Sequence, residues 1–312
     1  MRGLLPYHTP MNESELHTHI YARSANLTLG GSNTLATGPG DDSAVVCSPD
    51  GSLTLLTVDQ LVEGRHFICD TPIDLIARKA IARSVSDIAA MGGVPSWSLA
   101  TGVLPKDYPH ADELFDALSR WAKHWHCPLI GGDIASHGST DHPLTLSITV
   151  GGQMQQGTSP VLRSGAKPGD LVYVSGALGD SFKSNHHLEF EPRLALGQWA
   201  SAHNAHAMMD LSDGLGRDAH RVAQASNVRI ELDATKLALN PGCANWQQAA
   251  SEGEDYELLL VLDPATDLTT APAALLGPIG SVCACAANEK PGTTIVDPGG
   301  VFHDAQDLGW DH

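Results

Sequence analysis

Strand-like and helix-like segments alternate along this chain of 312 residues, and the alternation begins again after residues 153–157. Both kinds of segment occur on each side of that break, so each half can build a sheet covered by helices. The chain is long enough for two ordinary domains. We therefore predict two α+β halves of similar size, divided into residues 1–154 and 155–312.

Hydrophobic periodicity and the positions of glycine and proline predict the individual segments. The first half has a short helix near Leu16 and Ile20, strands over 52–58 and 143–152, and helices over 74–93 and 113–127. The second half has strands over 170–176, 228–233 and 256–263, helices over 193–207 and 218–226, and a hairpin in TTIVDPGGVFH.

Charge and cysteine usage exclude several classes of protein. A formal net charge of −18 argues against a nucleic-acid partner, because binding to phosphate backbones needs clustered Lys and Arg. The N-terminus lacks the apolar segment of a signal peptide, and no apolar run reaches the ~18 residues of a membrane span. The six cysteines form no CxxC pair and are interpreted as reduced thiols. We expect a soluble, cytoplasmic protein without membrane contact.

Isolated aspartates recur in strings that are rich in glycine and small residues. These strings are GPGDDSAVV with Asp41 and Asp42, TVDQLVEGRHF with Asp59, SVSDIAAMGG with Asp87, GGDIAS with Asp133, and MMDLSDGLGRD with Asp210, Asp213 and Asp218. Carboxylate oxygens are ligands that Mg²⁺ prefers, together with phosphate oxygens and water. The strings together therefore indicate a shared magnesium site.

Each aspartate also has a purely structural interpretation. Asp87 falls inside an apolar helix, where Ser84, Ser86 or a nearby Arg could satisfy its carboxylate. Asp59 follows a strand, and Asp133 follows two glycines, so both could simply begin turns. The residues alone leave these alternatives open.

Magnesium in turn indicates phosphoryl chemistry, but the usual nucleotide motifs are missing. The sequence has neither GxxxxGK[ST] nor a GxGxxG that opens a helix after a strand. A triphosphate would then be held by metals, by glycine amides and by an arginine. Arg163, in VLRSGAKPGD, is the candidate arginine; otherwise it is a surface residue beside a Pro-Gly turn.

Eight motifs in order resemble the thiamine-monophosphate kinase family. They are GPGDDSAVV, TVDQLVEGRHF, KAIARSVSDIAAMGG, GGDIAS, TSPVLRSGAKPGD, VSGALGDS, MMDLSDGLGRD and GEDYELLLV. The family belongs with aminoimidazole ribonucleotide synthetase, selenophosphate synthetase and the hydrogenase-maturation dehydratase. The resemblance runs from about Gly38 to the final GWDH, and LVEGRHF with SEGEDYEL favours the kinase branch.

The resemblance implies an α+β fold of the aminoimidazole ribonucleotide synthetase type. Its N-terminal sheet domain would pair across a homodimer, and its C-terminal α/β domain would close the active-site cleft. The implied activity is transfer of the γ-phosphate of ATP to thiamine monophosphate, giving thiamine diphosphate and ADP. Several Mg²⁺ ions would align the two phosphates, and no catalytic residue beyond that alignment is implied, since the acceptor phosphate is already anionic.

The family motifs also imply roles for individual residues. The implied metal-binding residues are Asp42, Thr57, Asp59, Asp87, Asp133, Asp210 and Asp213. The implied ATP-binding residues are Gly132, Asp133, Arg163 and Ser212. The implied thiamine-binding residues are His66, Glu254 and Trp310, with the Trp310 indole as the stacking surface.

The chain departs from the family pattern at a few points. Val58, Ile134 and Glu252 replace usual family residues, and the segment 181–192 is shorter than is usual. Two alternatives therefore accompany the kinase hypothesis. One is a related ATPase that acts on another phosphate or carboxyl acceptor. The other is a nucleotide-binding homologue with impaired catalysis.

Overall fold

The computed structural model describes residues 13–24 and 27–310, so the last two residues of the GWDH motif lie outside it. The first sheet has six strands: β1 (Thr34–Thr37), β2 (Ala44–Cys47), β3 (Leu53–Val62), β4 (Val94–Leu104), β5 (Leu129–Ser136) and β6 (Thr145–Gln153). Their order is β1-β2-β3-β6-β4-β5. Strands β4 and β5 run parallel, and the other neighbours run antiparallel.

Three helices belong to this first half: α1 (Glu13–Ser24), α2 (Ile73–Ala90) and α3 (Ala111–His124). Helices α2 and α3 pack against one face of the sheet and share one apolar core with it. Helix α2 ends where Gly92 adopts a φ of +74°, a conformation that glycine reaches without strain. These helices confirm the segments predicted near Leu16, over 74–93 and over 113–127.

The second sheet has seven strands: β7 (Leu171–Val174), β8 (Ala207–Asp210), β9 (Arg229–Asp233), β10 (Leu258–Leu262), β11 (Leu276–Cys283), β12 (Gly292–Val296) and β13 (Phe302–Asp304). Their order is β13-β12-β9-β11-β7-β10-β8. Strands β12 and β13 form the predicted hairpin, and β12 runs parallel to β9.

The second half also contains α4 (His186–Glu189), α5 (Leu194–Ala202), α6 (Leu215–Ser226), α7 (Trp246–Ser251) and a 3-10 turn over Ala234–Lys236. Helix α6 covers one face of the second sheet, and α5 belongs to the core on the other face. The two sheets with their helices confirm the α+β expectation. The division at residues 154 and 155 falls between β6 and β7 and stays a prediction.

Helix α2 contacts both halves of the molecule. It packs on β3 and β6 of the first sheet and also on α5 and β8 of the second half. The approach to α5 is close, since a Cβ at Gly197 would lie 2.0 Å from the carbonyl oxygen of Ala89. This helix therefore carries side chains from one sheet to the other.

Several local predictions were wrong at their ends. Asp59 does not end a strand, because β3 continues to Val62 and pairs there with Thr145. Gly131 and Asp133 are not in a turn, because their segment is β5 and pairs with β4. The helix predicted over 193–207 ends at Ala202, since the residues from Ala207 form β8.

Within the described ranges, no helix combines the length and the apolar character needed to cross a membrane.

Candidate active site

Three carboxylates from different elements meet at the junction of the two sheets. Asp42 precedes β2, Asp87 lies in α2 and Asp210 ends β8. One carboxylate oxygen of each residue lies within 4.8 Å of the other two. The two halves of the chain therefore build one group of acids, which we call the aspartate cluster.

Hydroxyl groups hold these carboxylates in place. The Ser86 hydroxyl donates to Asp210 at 2.8 Å, and the Ser84 hydroxyl donates to Asp59 at 2.9 Å. Asp87 instead accepts a hydrogen bond from the Thr57 hydroxyl. The structural interpretation in which Ser84 or Ser86 satisfies Asp87 is therefore wrong, because both serines bind other acids.

Burial and mutual repulsion raise the pKa values of the cluster. Burial is the largest cause for Asp87, followed by the charges of Asp59 and Asp210, and the pKa lies well above its ordinary range. Burial also raises the pKa of Asp210, with the charge of Asp42 next. Bound cations would relieve this repulsion, as protonation does.

The donor atoms of the cluster fit magnesium. All are carboxylate oxygens, which a hard cation prefers. Asp42 Oδ2 is buried and has no hydrogen-bond partner among the described residues. A buried oxygen in that state costs free energy unless a cation or another group binds it.

Arg163 lies against the cluster instead of on the open surface. Its Nη2 donates to Asp42 Oδ1 at 2.7 Å, and its side chain is 18% exposed. Its backbone N–H points at the Asp41 carboxylate. The surface interpretation of Arg163 is therefore wrong, and its guanidinium is available at the acid site.

A cavity of about 640 Å³ opens beside the cluster. It brings together residues from both halves of the chain. Its lining includes Tyr21, Asp41, Asp59, Arg83, Arg163, Ser212, Asp213, Arg221, Glu254 and Tyr256. Arg221 binds Asp213 at 2.6 Å and Asp218 at 2.8 Å on this wall. We call this space the main cavity.

Two of the candidate thiamine-binding residues, His66 and Glu254, meet around a buried lysine. Lys79 is fully buried and pairs with Glu254. Its Nζ also donates to the His66 carbonyl at 2.7 Å and contacts His187 Nδ1 at 2.8 Å. The His66 ring accepts a hydrogen bond from the Val62 N–H. Lys79 thereby joins the His66 turn, the 181–192 segment and Glu254.

A second cavity of about 500 Å³ adjoins this lysine and is lined by Phe67, Ile68, Phe182, Asn185 and His187, among others. We call it the apolar pocket. Trp310 is 49% exposed, and its ring centroid lies 6.1 Å from that of Phe182. The Trp310 indole is therefore a neighbour of this pocket.

Gly132 and Asp133 are not brought to the cluster within one chain. They lie in the edge strand β5, three strands from β3, which is roughly 14 Å at the usual strand spacing. Asp133 is exposed and is in register with Thr101 of β4. Their implied roles in binding metal and ATP stay predictions.

Sequence reasoning missed several cations of the site. Lys79, Arg83 and Asp87 are spaced by four residues in α2, so they share one helix face. That spacing could have predicted that the three side chains lie together. Arg221 follows Asp218 by three residues in α6, and that spacing could likewise have predicted their contact.

Comparisons with known proteins show which family the chain resembles. Models of AIR synthase related protein match the chain twice, the N-terminal domain over residues 40–154 and the C-terminal domain over 149–290. The thiamine-monophosphate kinase of Bacillus subtilis is 33% identical over 71% of this chain and 76% of its own length. That of Escherichia coli is 34% identical over 71% and 74%.

Solved structures show the same relationship. A structure of AaThiL complexed with AMPPCP and TMP matches with a TM-score of 0.79 and 27% identity, over 98% of this chain and 99% of that one. Hydrogenase maturation protein HypE in complex with ATP, at 15% identity over 81% of this chain and 84% of that one and a TM-score of 0.66, shares the fold. Together the matches confirm the resemblance read from the eight motifs: the chain belongs to the thiamine-monophosphate kinase family of the AIR synthase related proteins.

Proposed function

We propose that this chain transfers the γ-phosphate of ATP to thiamine monophosphate and releases thiamine diphosphate and ADP. The observation that carries the proposal is the aspartate cluster beside a main cavity that candidate ATP-binding and thiamine-binding residues line together. We call the group of His66, Lys79 and Glu254 the acceptor side. Arg163, Ser212 and Glu254 line the same main cavity, and Lys79 ties Glu254 to the apolar pocket. The related AaThiL structure contains AMPPCP, an ATP analogue, together with TMP.

Asp42, Asp87 and Asp210 would hold Mg²⁺, with Asp59 and Asp213 beside them. Bound magnesium would neutralise the repulsion between the donor and acceptor phosphates. The chain itself orients the carboxylates through the hydroxyls of Thr57, Ser84 and Ser86. No residue has to remove a proton, because a phosphate monoester is anionic near neutral pH.

A direct assay tests this function. Protein, ATP, Mg²⁺ and thiamine monophosphate are expected to give thiamine diphosphate and ADP in equal amounts, detected by chromatography. Free thiamine serves as the control acceptor, because it has no phosphate, and should give no product. ATP hydrolysis that proceeds at one rate with or without thiamine monophosphate would instead favour the alternative ATPase.

The departures from the family pattern do not open the site. The short 181–192 segment still supplies Phe182, His187 and Leu188 to the apolar pocket. Glu252 accepts hydrogen bonds from the Asp180 N–H at 2.7 Å and from Gln248 at 2.8 Å. The shortened segment therefore still reaches the apolar pocket, and Glu252 is held by two hydrogen bonds, which favours the kinase over the impaired homologue.

Replacing Trp310 with Ala should weaken binding of thiamine monophosphate but not binding of ATP. Its exposed indole neighbours the apolar pocket, so we propose that it stacks on the thiamine ring. We expect the KM for thiamine monophosphate to rise roughly tenfold, or ~1.4 kcal/mol. Trp246→Ala, in α7, is the matched control. An unchanged acceptor KM would remove Trp310 from the site.

We also propose that the chain forms a homodimer through the face of the first sheet opposite α2. Val58 is 64% exposed there. Asp133 of the edge strand β5 is exposed on the same face, since it is in register with Thr101 and, through Ser147, with Gln60. A second copy on this face would cover Val58 and bring Asp133 into the interface. A cytoplasmic location is proposed with it, supported by six free cysteines.

Light scattering checks the assembly. We expect a mass of twice the 32.9 kDa of one chain at micromolar concentration. Val58→Glu should reduce this mass to that of the monomer, because a carboxylate would be buried without a partner. A parent protein that scatters as a monomer would contradict the dimer.

A further inference from the structure

Three side chains lie in a row along one face of helix α2. Lys79, Arg83 and Asp87 follow one another at intervals of four residues and span about 12 Å of helix axis. Lys79 pairs with Glu254 on the acceptor side, and Asp87 belongs to the aspartate cluster. Arg83 is one turn from each. It therefore lies between the acceptor side and the metal side.

The Arg83 guanidinium is held in place, but not all of its N–H donors have a hydrogen-bond partner in the described part of the chain. Its Nη1 donates to the Gln60 carbonyl at 2.7 Å, and its carbon lies 6.0 Å from the centroid of the Tyr256 ring. Its Nε is buried and has no hydrogen-bond partner among the described residues. The side chain is 14% exposed and lines the main cavity.

An ion pair with Asp59 does not account for this arrangement. Arg83 Nη2 and Asp59 Oδ1 are 3.6 Å apart, which is too far for a good hydrogen bond. Asp59 already accepts the Ser84 hydroxyl at 2.9 Å. Arginine binds phosphates through its fork of N–H donors, and Arg83 lines the main cavity, so its Nη2 donors, which have no close partner in Asp59, fit a phosphate group there.

We propose that Arg83 is a catalytic residue that binds the phosphate of the acceptor and stabilises the phosphoryl group that moves onto it. This inference rests on the proposed function and adds a residue to it. A phosphate placed against Arg83 would lie between Glu254 and Asp87, where the acceptor must meet the donor.

The transfer balances without a proton relay. An oxygen of the acceptor phosphate forms a bond to the γ-phosphorus of ATP, and the bond from that phosphorus to the β–γ bridging oxygen breaks. The electron pair of the broken bond leaves on ADP. Negative charge lies on the three remaining oxygens of the moving group. Arg83 donates hydrogen bonds to these oxygens and stays protonated throughout.

Arg83→Met and Arg83→Lys test this role in the full chain with Mg²⁺ present. The control is Arg120→Met, because Arg120 pairs with Asp74 on the surface, away from the cavity. Calorimetry measures binding of thiamine monophosphate and of unphosphorylated thiamine in the presence of AMPPCP. Kinetics give kcat and the KM values for thiamine monophosphate and for ATP. Melting curves report folding.

For Arg83→Met we expect thiamine monophosphate to bind at least tenfold more weakly, while thiamine binding and the KM for ATP stay within twofold. We expect kcat to fall about a hundredfold, as it does when a charge-stabilising donor is lost. Arg83→Lys should recover at least tenfold of that kcat, because it restores the charge without the fork. Arg120→Met should match the parent.

Two results would overturn the inference while the function stands. In the first, the parent makes thiamine diphosphate and Arg83→Met has the same kcat and KM values as the parent. In the second, Arg83→Met loses binding of thiamine, thiamine monophosphate and ATP alike. If Arg83→Met does not fold, Arg83→Lys decides, and parental kinetics in a folded Arg83→Lys overturn the inference. A parent without transfer activity defeats the proposed function itself.

Discussion

Replacing Asp87 with Asn is expected to lower kinase turnover about a thousandfold or more, equivalent to ~4 kcal/mol of transition-state stabilisation. Asp87 shares the cluster with Asp42 and Asp210. An Asn side chain has similar size but no charge and a single oxygen acceptor. The cluster would then hold magnesium and the phosphates less tightly, and in phosphoryl transfer such alignment supplies most of the catalysis.

The same substitution should leave the metal-free protein as stable as the parent, or more stable. Burial raises the pKa of Asp87 above its ordinary value of 3.8, so the folded state binds a proton that the unfolded state has already lost. The free energy of unfolding of the metal-free parent therefore falls as pH rises above about 4. The Asn variant has no carboxylate at this position, so its free energy of unfolding does not fall in this way as pH rises.

Melting curves with and without magnesium measure both effects. Magnesium should raise the melting temperature of the parent, because it binds the folded cluster, and should raise that of Asp87→Asn less. Asp116→Asn, at an exposed position of α3, is the matched control. An Asp87→Asn variant destabilised equally in both conditions would show that Asp87 serves only as the partner of Thr57.

Lys79→Met is expected to destabilise the fold by about 3 kcal/mol and to raise the KM for thiamine monophosphate about tenfold. Removing one member of a buried ion pair leaves the other charge uncompensated, which costs about 3–5 kcal/mol. Burial lowers the pKa of Lys79 to about 8, and the Glu254 carboxylate opposes that change. Without the lysine, Glu254 and the His66 carbonyl both lose their donor.

A double variant separates charge from packing. Lys79→Met with Glu254→Gln removes both charges, so it should be more stable in urea than Lys79→Met alone. Lys123→Met, exposed on α3, is the control. If Lys79→Met alone had the stability of the parent and the same KM for thiamine monophosphate, Lys79 would neither stabilise the fold nor help to bind thiamine monophosphate.

Sequence alone predicted the five longer helices of the described residues and about half of the strands, because their apolar spacing is local. The short helices α4 and α7 and the central strand β4 were not predicted. Helix α2 is the clearest case, since its apolar run ends at a glycine pair. The same logic failed for β5, whose Gly131 and Asp133 are extended only because β4 lies beside them. Pairing between distant segments leaves little trace in a local pattern.

The candidate site was predictable to a similar extent. An acid inside an apolar helix is costly, so Asp87 stood out and does lie in the cluster. Its partner could not be predicted, because Thr57 comes from a strand 30 residues away. Arg83 was missed because a long cation every four residues also describes an ordinary solvated helix face.

The placement of Lys79, Arg83 and Asp87 on a single helix has a consequence for how this gene can tolerate length changes. One residue inserted between positions 80 and 86 would rotate Asp87 by about 100° and shift it by about 1.5 Å relative to Lys79. The two substrates would then lose their common alignment even if both pockets survived. Insertions and deletions should therefore be far less tolerated in 80–86 than in the loop 137–143, whose side chains are mostly exposed and whose length no pocket residue of α2 depends on.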